Sequence, residues 1–394
     1  MSENNASTAT LRAARDFTRR NLLKSALYAG AALSVGPVVL PKRALGAGQV
    51  NVFAWGDYNP GFVDGGMFKA FTEATGIAVN HSTYGSNDEA ENKLRASGGA
   101  GFDIIFPSVD TGPNYYGDDL LMAIDESKLN VDAIIPAIYR QSVGLGAAHR
   151  GKRYLVPFDW GTEGVTWDSS AFPDLDYGTL SYADLWREGA ANQTACRQKS
   201  VLVSLAIYLD AIGEVKSNRA MDLYTSEEDS KRVFEACTDF AIQHKANIGA
   251  FWNNGTEASS AFTDAGCTIG QTWDNTGTDL HLKVDPKWRY TMPKEGGLGW
   301  LDTIAIPSGA ENPEQAYEFI NFILSPEMGG IFANTIGYNS VAVGASDHLD
   351  DSKKMTFQMS YPEQSAIDNL WWWPAQTPFF AELRSLYSEK LTNA

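Results

Sequence analysis

The chain has 394 residues, 44% hydrophobic and 20% charged, with 48 acidic and 31 basic side chains and a net charge of −17. That length exceeds what one hydrophobic core usually covers, so two lobes are expected, and the composition excludes a disordered chain. The acidic balance excludes nucleic acid and anionic membrane surfaces as partners and draws cations toward clefts.

The first 46 residues read as a targeting segment. Thr18-Arg19-Arg20-Asn21-Leu22-Leu23-Lys24 carries a twin arginine, Ser25–Leu40 is mostly small and apolar, and Ala44-Leu45-Gly46-Ala47 suits signal peptidase. The segment resembles a twin-arginine export signal and predicts a periplasmic protein. Pro37 and several glycines leave the apolar stretch short of the ~20 residues that a membrane span needs. Removing its seven basic and two acidic residues leaves 24 basic and 46 acidic, a net of −22. Three cysteines follow, Cys196, Cys237 and Cys267, without the spacing of a zinc site. In an oxidising compartment one pair among them is open to disulfide formation, and the sequence does not say which.

Gln49–Trp55 alternates like a strand and runs into the turn Gly56-Asp57-Tyr58-Asn59-Pro60-Gly61. Helical spacing covers Phe62–Thr75, with Gly76 as C-cap. A second strand begins at Ile77, a second helix covers Asp88–Ser97, and Phe102–Phe106 reads as a buried strand ending at Pro107-Ser108. This alternation predicts an α/β sheet with parallel strands, whose ligands sit at the carboxyl ends. Those ends carry Trp55-Gly56-Asp57-Tyr58, Ser82-Thr83-Tyr84 and Pro107-Ser108-Val109-Asp110. Near the other end of the chain, Pro293–Pro307 delivers Trp300 and Asp302 after a Gly-rich bend. At strand spacing both point to one side. An anion beside a π-face is what a cation leaving water requires, the ring contributing about 0.5–2 kcal/mol.

The succession W-x-[DE]-Y, F-x-x-x-T-G-I-x-V, S-T-Y-x-S-N and F-D-[IL]-[IV]-x-P-S resembles the periplasmic spermidine/putrescine-type solute-binding proteins of ABC transporters. Pro157-Phe158-Asp159-Trp160-Gly161-Thr162, Ala183-Asp184-Leu185-Trp186, PKEGG-x-x-W-x-D-[ST]-x-A-I-P at 293–307 and Thr335-Ile336-Gly337-Tyr338 continue the resemblance in collinear order to the C-terminus. It implies a two-lobed periplasmic binding protein fold, type II-like, with hinge strands and a ligand cleft between lobes. Lobe one would be 47–157 plus 303–340, and lobe two 158–302 plus 341–394. The implied function is capture of a polyamine and delivery to an inner-membrane permease, by a monomer, with no cofactor.

By position, the resemblance makes Trp55, Tyr58, Trp273, Trp300 and Tyr338 the aromatics that sandwich the ligand. Asp57 and Asp302 become its carboxylates, and Ser108 and Asn253 lesser polar contacts. Asp110, where the family commonly has tyrosine, would add a second ammonium contact. One ring of Trp371-Trp372-Trp373, with Gln376, would border the cleft. Where the family has an acidic contact, Thr194–Ser200 has Arg197 and Lys199 and no acid. Arginine there disfavours a symmetrical diamine and suits a carboxylate or hydroxyl, unless Glu163 or Asp274 compensates. An amino-acid-derived or opine-like amine with a carboxylate end is therefore the alternative ligand.

Tyr115-Tyr116 reads as a loop pair in preference to an iron site. No G-x-S-x-G, H-E-x-x-H or phosphate-binding loop is present, and the five histidines are scattered. Asp57 and Asp302 as a glycosidase-like acid/base pair is the remaining enzymatic reading.

Overall fold

The computed structural model describes residues 48–394; the twin-arginine and cleavage motifs lie outside the described residues. Strand β1 (Gln49–Trp55) leads through two short helical turns, Gly56–Tyr58 and Pro60–Asp64, into α1 (Met67–Thr75). The single helix expected over 62–75 is broken at Gly65-Gly66. There Gly66 takes φ 78°, a conformation that glycine adopts without a Cβ penalty. Strand β2 (Ala78–Tyr84) and α2 (Asn87–Ser97) follow. Ser86 caps α2 by accepting from Glu89 N at 3.2 Å, and the Glu89 carboxylate accepts in return from Gly85 N at 2.8 Å. Strand β3 is only Ile104–Ile105, shorter than the apolar run Phe102–Phe106 suggests.

The long strand β4 (Val156–Asp168) is buried throughout. After it come β5 (Thr194–Arg197), α3 (Val201–Ala211), α4 (Glu227–Gln243), β6 (Ile248–Trp252), β7 (Ile269–Trp273), β8 (Trp288–Thr291) and β9 (Leu298–Ile304). Helices α5 (Pro313–Ile323) and α6 (Pro326–Ile336), strands β10 (Asn339–Ser340) and β11 (Trp371–Trp372), and α7 (Pro378–Asn393) complete the elements used below.

These elements form two compact units. The first holds the described part of Arg19–Trp160 with Leu301–Lys353, and the second holds Gly161–Trp300 with Lys354–Ala394. The chain passes between them within β4, within β9 and after Lys353. Residues 341–353, expected with the second lobe, belong to the first unit. The reason is backbone pairing: Ile135 N donates to Val341 O at 2.9 Å and Val343 N to Ala133 O at 2.8 Å.

In the first unit β1 lies between β2 and β3, all parallel. The far end of β9 runs antiparallel beside β3, with Ile105 and Ala305 exchanging bonds of 3.0 and 2.9 Å. In the second unit β5 pairs parallel with β6 and β7, β7 pairs antiparallel with β4, and β11 pairs parallel with β9. Helix α3 is apolar almost all round and correspondingly buried on nearly every side, as such a helix must be. It shares a core with Phe234 of α4, Phe380 of α7, and Trp371 and Trp373, whose rings meet edge-on at 5.3 Å. Parallel strands place their carboxyl ends on one edge, so each unit has one edge where side chains from separated parts of the sequence converge.

Candidate functional site

On the first unit's edge the centre is Tyr58, in the turn after β1. Its ring is enclosed by Phe62, Phe106, Phe158 and Phe332 at centroid distances of 5.1–5.8 Å. Its hydroxyl lies 2.7 Å from Asp159 Oδ1 and 3.0 Å from Asp302 Oδ2. Burial first, and then the two carboxylates, push the phenol well above its ordinary pKa, so it stays a donor. Asp302 also accepts from Ser108 Oγ at 2.6 Å. Ser108 is fixed by Asn87, which donates to Ser108 Oγ at 2.9 Å and accepts from its backbone N–H at 3.0 Å. Two buried carboxylates therefore surround one phenol, oriented by hydroxyls that satisfy hydrogen bonds without adding positive charge.

Trp55 ends β1 and tilts against Tyr84 at 4.8 Å, while the Tyr84 hydroxyl donates to Phe106 O at 2.5 Å. Trp55 Nε1 is buried and finds no hydrogen-bond partner among the described residues. Asp57 is half-buried beside it in sequence, and loss of solvent raises its carboxyl above the usual range. Asp110 is buried in the turn Val109–Thr111, two residues beyond Ser108. Tyr338 is buried directly after Gly337, which ends α6 with φ 91°.

On the second unit's edge, β5, β6 and β7 end in Arg197, Trp252 and Trp273. The guanidinium of Arg197 lies over the Trp273 ring at 4.8 Å and the Trp252 ring at 5.5 Å. Its Nη1 donates to Glu163 Oε2 at 2.8 Å. Glu163 is fully buried, and its other oxygen accepts from Ser200 Oγ and from Gln271 Nε2 at 3.3 Å. Asn253 follows Trp252 and donates to Gln198 Oε1 at 2.7 Å. Asp274 begins a short helix after Trp273 and accepts from Tyr361 Oη at 3.1 Å. Trp300 and Asp274 crowd Gly161, where an added Cβ would stand 2.3 Å from Trp300 Cζ2 and 2.7 Å from Asp274 Oδ1. Within the Trp triplet, Trp372 packs face-on to Gly299.

Of the site residues named from the sequence, Trp55, Asp57, Tyr58, Ser108, Asp110, Asp302 and Tyr338 lie in the first unit, and Asn253, Trp273 and Trp300 in the second; Asp302, expected at the end of lobe two, thus falls in the first unit. It singles out neither Asp159 nor Asn87, although both stand inside the quoted motifs. An acid in Pro157–Thr162 and an amide closing S-T-Y-x-S-N were the available signals. Arg197 is largely buried, its side chain 18% exposed. Tyr115 and Tyr116 pack: Tyr116 Oη donates to Gly146 O at 2.5 Å and its ring stacks on His149. All three cysteines are free thiols.

An α/β chain in two units, each with charged and aromatic groups at the carboxyl ends of its strands, has the architecture of a two-lobed solute-binding protein. The chain belongs to the bacterial extracellular solute-binding proteins, whose family model matches residues 66–360. Among its relatives is the spermidine/putrescine-binding periplasmic protein of Salmonella typhimurium, 27% identical over 323 residues, 81% of this chain and 85% of the relative. The putrescine-binding periplasmic protein PotF of Escherichia coli is 26% identical over 327 residues, 80% of this chain and 82% of the relative. Among solved structures, the spermidine/putrescine transporter substrate-binding protein PotD of Streptococcus pneumoniae superposes with a TM-score of 0.69 at 24% identity, covering 88% of this chain and 99% of its own.

Proposed function

We propose that this chain is the substrate-binding component of an ABC importer. It captures a polyamine-type cation in the periplasm, after export by the twin-arginine signal, and delivers it as a monomer to a membrane permease. It carries its ligand without transforming it. The observation that supports this reading is Asp302, a buried carboxylate aimed by Ser108 at 2.6 Å and Tyr58 at 3.0 Å. Carboxylates fixed in advance need no reorganisation to replace the water around an ammonium group, and adjacent rings replace the rest of its hydration shell. The relatives' names add that proteins of this kind bind putrescine and spermidine.

Calorimetric titration of the exported chain with putrescine, spermidine and N-acetylputrescine tests it. Saturable heat with at least one of them is expected, lost in Asp302→Asn. Absence of binding and of thermal stabilisation by all three would remove the amine reading.

A further inference from the structure

Beyond α3, the second unit contains a strained turn. Asn218, Arg219 and Ala220 follow one another with φ of 50°, 53° and 63°. Residues with a Cβ visit this left-handed region singly, and three in succession need to be held there by their surroundings. Asp210 supplies part of that hold: its carboxylate accepts from Ser217 N at 2.8 Å and from Arg219 N at 2.9 Å. Ser217 Oγ supplies the rest, accepting from Ala220 N at 2.9 Å and donating to Ala206 O at 3.1 Å.

What the turn delivers is the Arg219 side chain. Its Nη2 donates to Glu295 O at 2.9 Å, to Asn369 O at 3.0 Å and to Asn369 Oδ1 at 3.2 Å. One guanidinium thus joins the Gly-rich bend at 293–297 to the segment that enters β11. Gly296, in that bend at φ 101°, leaves no room between them: a Cβ would stand 2.2 Å from Asn369 O and 2.8 Å from Arg219 Nη2. The bend is held from other sides as well. Asn369 Nδ2 donates to Lys294 O at 3.1 Å, Lys294 N to Leu180 O at 2.8 Å, and Tyr182 N to Glu295 Oε2 at 3.1 Å. Past this clamp β11 takes up β9, with Trp371 N donating to Gly297 O at 2.9 Å and Trp373 N to Gly299 O at 3.1 Å. Trp300 follows in the same strand, about 10 Å along it from Gly297.

We propose that Arg219 is a positioning residue for Trp300. By fixing the bend from which β9 starts, it sets where the Trp300 indole stands against Gly161 at the edge of the second unit. Its three acceptors are all neutral oxygens, two of them main-chain carbonyls, so these bonds place backbone and form no ion pair. The strain of 218–220 is what aims the guanidinium at them, and strained backbone of this kind is kept where geometry matters. The effect on binding rests on the proposed function, in which Trp300 is one of the rings that face the amine; the placement of the ring is a property of this unit alone.

Fluorine NMR of the full chain grown with fluorotryptophan tests the placement without a ligand. The Trp300 resonance, assigned by its loss in Trp300→Phe, is expected to move in Arg219→Met. It should move less in Arg219→Lys, which keeps the charge and a donor without the planar fork. Circular dichroism checks that each variant is folded, and Arg219→Lys carries the comparison if Arg219→Met does not fold. A double-mutant cycle, read by calorimetry with putrescine, spermidine and N-acetylputrescine, then tests the effect on binding. Arg219→Met should weaken the tightest of the three at least about fivefold, but less than about twofold further in a Trp300→Ala background, where the ring it places is gone. A melting temperature that falls while resonance and affinity stay put makes Arg219 a structural clamp only and overturns the proposal. Equal losses in both backgrounds overturn it too, leaving the amine reading intact. If the unaltered chain binds none of the three amines, the proposed function falls, and the Trp300 resonance alone decides whether Arg219 places the ring.

Discussion

Tyr58 and Asp302, 244 residues apart in sequence, meet through a hydroxyl–carboxylate contact of 3.0 Å, and the same hydroxyl reaches Asp159 at 2.7 Å. One proton serves two acids there. The contact ties the turn after β1 to the two strands in which the chain passes between units.

Removing that hydroxyl tests its structural weight. In Tyr58→Phe two buried carboxylates lose a donor with no change in ring packing, which should cost about 1.5–3 kcal/mol of stability. Urea unfolding followed by circular dichroism reads it. An unchanged midpoint would mean that solvent already satisfies both acids.

Gly161 makes a second test. Alanine there would put a methyl group 2.3 Å from the Trp300 ring and 2.7 Å from Asp274. Either the indole or the backbone must move, so Gly161→Ala should cost about 1–3 kcal/mol as an overpacked site and weaken ligand binding together with it. Thermal unfolding with and without ligand measures both, and an unaltered melting temperature contradicts the packing described.

On the proposed function, Asp57 would link binding to pH. Its carboxyl is raised by desolvation, so in the folded chain it holds its proton to a higher pH than in the unfolded chain, where the value is about 3.9. Between those two values the folded state binds more protons, so stability falls as pH rises through this window. A cation that meets Asp57 favours the ionised form. Amine binding should therefore strengthen as pH rises through the raised value and release a fraction of a proton. Calorimetry in buffers of different ionisation enthalpy detects that release, and Asp57→Asn should abolish it. Proton release that persists in the variant would place the linked group elsewhere.

The three cysteines give an independent check. Burial raises all three thiols, Cys267 to about 11, and none is bonded to another. The native chain should leave a thiol reagent unreacted and show a melting temperature indifferent to reductant, with three equivalents titrating after unfolding in denaturant. A reductant-sensitive transition would reveal a disulfide.

Local rules made much of this protein legible in one dimension. Alternating β-branched runs and Gly-terminated helical stretches marked β1, α1, β2 and α2, because strand and helix periods are properties of a few consecutive residues. The motif 293–307 singled out Trp300 and Asp302 for the same reason, since their spacing lies within one strand. Partners drawn from distant segments were not legible. Asp159 joins Tyr58 across 101 positions, Glu163 takes up Arg197 across 34, and 341–343 pairs with 133–135 and so joins the first unit. A buried charge must find its counterpart wherever the fold brings one, and only the folded chain decides which residue that is.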